Sequence, residues 1–391
     1  MRLNVAPAVF AITAIAFVSG CAPFLAERES TVPTAASADE HAEVRNVILM
    51  IADGAGIGLW TAAKFATDNL AVKRMPVVGL VDTRSAMHKV SDSAAGASVY
   101  ATGERTMNRT ISVGPASACP RPETRDAQDP AWPPDCKPLR TWFELAKEKG
   151  KATGVVTTTF VTDATPAAFV AHSPSRYWGE AIADQFADFG LDVLLGGGER
   201  DFAADTRIDG RDVLGEICER SHCLESAEEL DSYCPDDRPL VGLFAKFDMD
   251  EFDPRPAGLP AMVGAALEKL DRNPAGFVAM FETEATDNAT HANAPLERAT
   301  ADMLEFDRAL GVVLDFASRS PGTLVIVTAD HETGGFSLVE AGFDFELRYA
   351  NREHSAAMVP LFAIGPQSER FGGLRENHEI GQMLMEIVGA W

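Results

Sequence analysis

Four short apolar runs in this chain each end in an acid, or in an acid followed by histidine: NVILMIAD at Asp53, GFVAMFE at Glu282, TLVIVTADH at Asp330 and His331, and DVLLGGGE at Glu199. Carboxylates and imidazoles brought together are the usual ligands of divalent cations. A single acid after a strand is as readily the cap of the next helix, but several such ends in one chain favour a metal centre. In MFETEATDNATHANAP, Asp287 and His291 follow Glu282 by five and nine residues. Their separation of four puts both on one face of a helical turn, where they can share an ion. TADHETGG adds two adjacent ligand types before a glycine pair that lets the backbone turn sharply.

A nucleophile candidate lies in VSDSAAGASVYATG. Ser93 opens a helix built almost wholly of small residues, so its hydroxyl sits over unpaired backbone N–H groups and the positive end of the helix dipole. That environment suits an anion such as a phosphoryl group. Taken alone, Asp92-Ser93 reads as a plain N-cap.

Positioning these residues requires a sheet. Apolar runs of this length, bounded by polar residues, read as buried parallel strands, and in open α/β sheets ligands bind beyond the carboxyl ends of the strands. The pattern predicts strands near 45–52, 77–82, 152–158, 192–198 and 359–366, besides those ending at Glu282 and Asp330. It predicts helices from about Trp60, after Ser93, and over 139–149, 258–272 and 295–317. Residues 201–258 are polar, Cys-bearing and Pro-containing, and read as an excursion from the core. The alternation predicts a three-layer α/β fold with a mostly parallel central sheet and helices on both faces.

With 391 residues and 46% hydrophobic content, the chain can bury one large core. Its formal charge of −24 makes a nucleic-acid backbone a poor partner, so an anionic substrate needs a local positive site. The start, MRLNVAPAVFAITAIAFVSGC, reads as a secretory signal over 1–20. Val18 to Cys21 resembles the lipobox of bacterial lipoproteins, in which Cys21 becomes the lipidated N-terminus. Residues 21–42 then form a tether, and 43–391 the catalytic domain. In an exported chain the other five cysteines suggest disulfides. Cys119 and Cys136 bracket a Pro-rich loop, and among Cys218, Cys223 and Cys234 one thiol is left over.

The combination DSAAGAS with ATG, in company with the other motifs and in the same chain order, resembles the alkaline phosphatase family from about Val44 to Pro366. The resemblance implies hydrolysis of phosphate monoesters through a phosphoserine at a centre of two Zn2+ and one Mg2+. Asp53 is similar to the family's early metal-bridging aspartate. DATPAAFVAHSPSR resembles the stretch that supplies a magnesium-ligand threonine, Thr165, and the phosphate-gripping arginine, Arg176. Glu282 takes the place of the magnesium glutamate, Asp287 and His291 hold one zinc with His354, and Asp330 and His331 hold the second with Ser93. Asp92 is placed to orient Arg176, and Asp163 to hold waters on the magnesium. Glu199, Glu284 and Glu332 are read as non-ligands, and His172 as structural.

Three departures from the family stand out. Asn288 occupies a position where relatives often carry Lys, His or Trp. Only 22 residues separate His331 from His354, which implies a reduced crown insertion, so that a homodimer is possible without being assured. Arg109 and Thr110 stand where small residues are usual. The reading is therefore an exported, lipid-anchored enzyme of the periplasm or cell envelope that acts on small phosphate esters. Its alternatives are a phosphodiesterase on the same fold and a noncatalytic surface lipoprotein stabilised by metal.

Overall fold

The computed structural model describes residues 43–119, 135–249, 255–342 and 344–391. The signal segment, Cys21 and the tether lie outside the described residues, and no described helix is long and apolar enough to cross a membrane.

A ten-stranded sheet forms the centre. In chain order its strands are β1 (Asn46–Ala52), β2 (Val77–Asp82), β3 (Ala152–Phe160), β4 (Val193–Gly197), β5 (His222–Leu224), β6 (Leu240–Leu243), β7 (Phe277–Thr283), β8 (Thr323–Thr328), β9 (Val359–Ile364) and β10 (Gly373–Glu376). Across the sheet they run β10-β2-β9-β8-β1-β7-β3-β4-β6-β5. Only β9 is antiparallel to its neighbours. β1, β7 and β8 are buried at every residue, as strands covered on both faces must be, which explains their unbroken apolar sequence.

The helices form two packing groups. Ser93–Thr102 packs with Ala164–Val170 and Asn377–Gly389, and Leu296–Arg319 packs with Leu259–Leu270 and Ile57–Ala66. These groups cover opposite faces and complete the three layers.

Several regions differ from the sequence expectation. The helix expected from Trp60 starts at Ile57. The excursion over 201–258 contributes β5 and β6, which extend the parallel sheet at one edge. These strands have only three and four residues, too few to show a period. At the other edge β10 and the terminal helix Asn377–Gly389 complete the fold beyond the last expected strand. The cysteine count also needs correction. Cys119 pairs with Cys136 and Cys218 with Cys223, and no described cysteine is free, so Cys234 is not a spare thiol.

Candidate active site

The centre of the sheet sets the first three ligands. Ile51 of β1 is in register with Glu282 of β7 and with Thr328 of β8. The chain ends just beyond these partners therefore converge, bringing Asp53, Glu282 and Asp330 to one spot although they are far apart in sequence. Gly54, with φ +67°, turns the chain away after Asp53, and a Cβ there would stand 2.5 Å from Asp287 Oδ1. Its N–H donates to Asp330 Oδ1 at 3.3 Å.

The Ser93–Thr102 helix is buried along its whole length, and its small residues are what permits this. A Cβ on Gly96 would lie 2.8 Å from the carbonyl oxygen of Asp330, so glycine lets the helix press against the end of β8. Tyr100 fixes that contact by donating its hydroxyl to the Ala329 carbonyl at 2.9 Å. Asp92 caps the helix by accepting from the N–H of Ala95. Ser93 is thereby held with Oγ 3.3 Å from His331 Nε2.

His331 connects the ligand groups. Its Nε2 lies 3.4 Å from Asp53 Oδ1 and 3.3 Å from Asp330 Oδ2. His354 reaches it through a short antiparallel ladder in which Thr333 pairs with His354 and Glu332 with Ser355. The two imidazoles stack with centroids 3.6 Å apart. On the other side of His354, His291 approaches Nε2 to Nε2 at 3.1 Å, and His291 lies 3.2 Å from Asp287 Oδ2. Asp287 also accepts from Thr333 Oγ1 at 2.5 Å. Three groups of ligand atoms come close enough to share an ion: Asp287, His331 and His354; Asp53, Asp330 and His331; and Asp53, Glu282 and Glu284. His291 borders the first of these.

The electrostatics show what the donor set requires. Burial, then the charges of Asp330, Asp287 and Glu282, push Asp53 well above the usual carboxylate range. Burial and the Asp287 charge raise Asp330 to about 7. Asp287 goes the other way: burial opposes ionisation, but the His291 hydrogen bond and the surrounding imidazoles bring it to about 2. The bond with Asp287 raises His291 to about 9 against the effect of burial. Burial, and next the neighbouring His354, lower His331 well below its ordinary value. Asp53 Oδ1, Asp330 Oδ2 and Glu282 Oε1 are buried without a hydrogen-bond partner. So many inward-facing acceptors with so few protons fit bound divalent cations.

Arg176 donates from Nη2 to Asp163 Oδ1 at 2.8 Å. Asp92 Oδ2 is 3.5 Å from Nη1. The arginine thus rests chiefly on Asp163, which the sequence reading assigned to magnesium waters, and Asp92 supplies charge at slightly longer range. Thr165 Oγ1 lies 3.3 Å from Asp53 Oδ2.

Arg109 now has a role. It adopts the left-handed region, φ 70°. Its N–H donates to Asp92 Oδ2 at 2.9 Å and its carbonyl accepts from the Arg176 N–H at 2.8 Å. One peptide turn therefore ties the cap before Ser93 to the arginine. Sequence reasoning missed it because the backbone does the tying, and the only signal was a bulky residue in a tight segment.

Glu199 follows the Gly198 turn and joins no ligand group. His172 bonds the Ser112 carbonyl and Glu144. Glu332 accepts from the N–H groups of Gly335 and Phe336 and from the Ser355 hydroxyl. Glu284, set aside with it, stands instead beside Asp53 and Glu282. The chain turns directly from β7 into the Ala285–His291 helix with Glu284 at its N-cap, which brings Glu284 to the side occupied by Glu282.

Residues 44–345 match the family model described as alkaline phosphatase, and the chain belongs to that family. It is 33% identical over 314 residues to alkaline phosphatase 3 of Bacillus subtilis, covering 76% of this chain and 63% of that protein's length. It is 30% identical over 449 residues to the streptomycin-6-phosphate phosphatase of Streptomyces griseus, covering 92% of this chain and 94% of the relative. The alkaline phosphatase of the Antarctic bacterium TAB5 superposes with a TM-score of 0.78 at 29% identity, covering 89% of this chain and 99% of that one. A variant of that enzyme with Mg bound in its M3 site superposes with a TM-score of 0.76 at 30% identity over the same shares of the two chains.

Proposed function

We propose that this protein hydrolyses small phosphate monoesters to inorganic phosphate and an alcohol through a phosphoserine at Ser93. The observation that carries the reading is the placement of Ser93 Oγ, 3.3 Å from His331 Nε2 at a buried helix N-terminus, in a chain that also sets Arg176 between Asp163 and Asp92. A metal site kept only for stability needs neither the serine nor the arginine.

The residues fit two zincs and a magnesium: Asp287, His291 and His354 for one zinc, Asp330, His331 and Ser93 for the other, and Asp53, Thr165 and Glu282 for magnesium. When bound, such ions neutralise charge on the attacking and leaving oxygens of an in-line displacement. Arg176 presents its planar fork to two phosphoryl oxygens, with Asp163 and Asp92 fixing its plane. Ser93 Oγ forms the new bond to phosphorus as the ester P–O bond breaks and the alcohol departs. Water then cleaves the phosphoserine, releasing phosphate and restoring the hydroxyl. The helix N-terminus under Ser93 favours negative charge throughout. The grip is on the phosphoryl group, which supports breadth among small esters.

The reading extends to export with a lipid anchor at Cys21. Its support is the apolar start, the Val18 to Cys21 sequence and the disulfides Cys119–Cys136 and Cys218–Cys223, which suit an oxidising compartment. Incorporation of radiolabelled palmitate by the wild type, lost in Cys21→Ser, tests the anchor.

Hydrolysis of a nitrophenyl phosphate monoester and of the matching diester, with zinc and magnesium supplied, tests the activity beside Ser93→Ala. Monoester cleavage that disappears in the variant supports the proposal. Dominant diester cleavage makes the protein a phosphodiesterase, and no cleavage of either leaves the noncatalytic lipoprotein.

A further inference from the structure

Three buried carboxylates meet at one point with an oxygen each to spare. Asp53 Oδ2 is 3.3 Å from Thr165 Oγ1, and Glu282 Oε2 accepts from Thr157 Oγ1 at 2.6 Å. Their other oxygens, together with Glu284 Oε2, are buried and have no hydrogen-bond partner. Ligand atoms of all three residues lie within 4.8 Å of one another. Glu284 is only 8% exposed, and its backbone N–H is tied to Thr158 Oγ1 at 3.1 Å, which fixes where its side chain starts. The Arg176 fork pairs directly with Asp163 and Asp92, and its charge reaches Glu284 without an ion pair, so a direct arginine contact does not satisfy the Glu284 oxygen.

Burying an unpaired carboxylate oxygen is costly, and burying three side by side is costlier still, unless a cation sits among them. The donors are all oxygens, carboxylate and hydroxyl, which suits a hard ion such as magnesium better than zinc. We infer that Glu284 is a further protein ligand of the third, magnesium ion, adding a carboxylate to Asp53, Thr165 and Glu282. This rests on the three-ion reading above. The extra carboxylate raises the site's affinity for magnesium and sharpens its preference for magnesium over zinc.

The test uses the full chain loaded with zinc, titrated with MgCl2 by calorimetry, with bound metals counted by mass spectrometry after gel filtration. Glu284→Gln and Glu284→Ala serve as variants. The expected result is two zincs per chain in all three proteins, with the magnesium Kd at least about tenfold weaker in both variants. Melting of the metal-free proteins supplies a second readout: removing one of three crowded carboxylates raises Tm, whereas removing a structural partner lowers it. An unchanged magnesium Kd, or a lower metal-free Tm with zinc content intact, overturns the role of Glu284 and leaves the phosphatase reading standing. A wild-type chain that binds zinc and no magnesium overturns the third-ion reading itself, and the role of Glu284 with it.

Discussion

The Nε2 atoms of His291 and His354 face each other at 3.1 Å, while each ring's Nδ1 meets a main-chain carbonyl, that of Arg352 for His291 and that of Ser91 for His354. A carbonyl can only accept, so both Nδ1 atoms carry their protons and both Nε2 lone pairs point inward. Two lone pairs at that distance repel unless a proton or a metal ion lies near them. In the metal-free chain a proton serves, which agrees with His291 being raised to about 9.

A pH dependence follows for the metal-free protein. His291 titrates higher folded than unfolded, so its stabilisation is complete below the unfolded value of 6.5 and disappears as pH rises through about 9. Asp330, raised from 3.8 to about 7, also binds more protons when folded, so stability falls across that interval too. Lowered His331 works the other way up to about pH 6.5, so chelated protein should lose Tm from about pH 7 to 9.5, where His331 is neutral folded and unfolded alike. Zinc-loaded protein should show a much flatter profile, because the ion takes the proton's place. Differential scanning calorimetry of both forms across this range checks the prediction, and parallel profiles would contradict it.

Ser93→Ala should lower kcat by about three orders of magnitude or more while leaving Tm near wild type and the zinc of Asp287, His291 and His354 bound. On the proposed mechanism the lost hydroxyl is the nucleophile, while the histidines and carboxylates remain. Steady-state kinetics with metal analysis on the same sample separates loss of chemistry from loss of the site.

Arg176→Lys should reduce kcat/KM for monoesters by about 10- to 100-fold and weaken inhibition by inorganic phosphate in parallel. A point charge on a flexible stem cannot keep the two-pronged geometry that Asp163 and Asp92 impose. Equal phosphate inhibition in the two proteins would show that the fork does not grip phosphate.

Gly96→Ala places a methyl group 2.8 Å from the Asp330 carbonyl oxygen. The helix must move away from the end of β8, at a cost of about 1–3 kcal/mol in stability. Because Ser93 moves with the helix, kcat should fall as well, and chemical denaturation alongside kinetics reads both effects.

At Arg109 the side chain should be dispensable and the backbone essential. Arg109→Gly accepts φ 70° without strain and should keep activity and stability, gaining up to about 1 kcal/mol. Arg109→Pro can neither adopt that φ nor donate to Asp92, and should lose both. Comparable losses in the two variants would place the role in the guanidinium group.

The sequence was most informative where one strand end contributed one ligand. Asp53, Glu282, Asp330 and His331 follow unbroken apolar runs because both faces of β1, β7 and β8 are covered. It was least informative where elements are short or where the backbone does the work. β5 and β6 have too few residues to show a pattern, and Arg109 acts through its peptide groups. Glu284 was passed over for a different reason. Its neighbourhood with Asp53 is set by how the chain leaves β7 for a helix, and no periodicity in one segment reveals a contact with a residue more than two hundred positions away.

The convergence of β1, β7 and β8 also dictates when the centre can exist. Its ligands are drawn from Asp53 near one end of the catalytic region to His354 near the other, so no truncated or partly folded chain holds a complete set. On the proposed export as an unfolded chain, ions cannot travel with the polypeptide as it is threaded across. They are captured only after the whole sheet has closed, which makes the metal supply of the compartment where folding finishes the determinant of how much of the protein becomes competent.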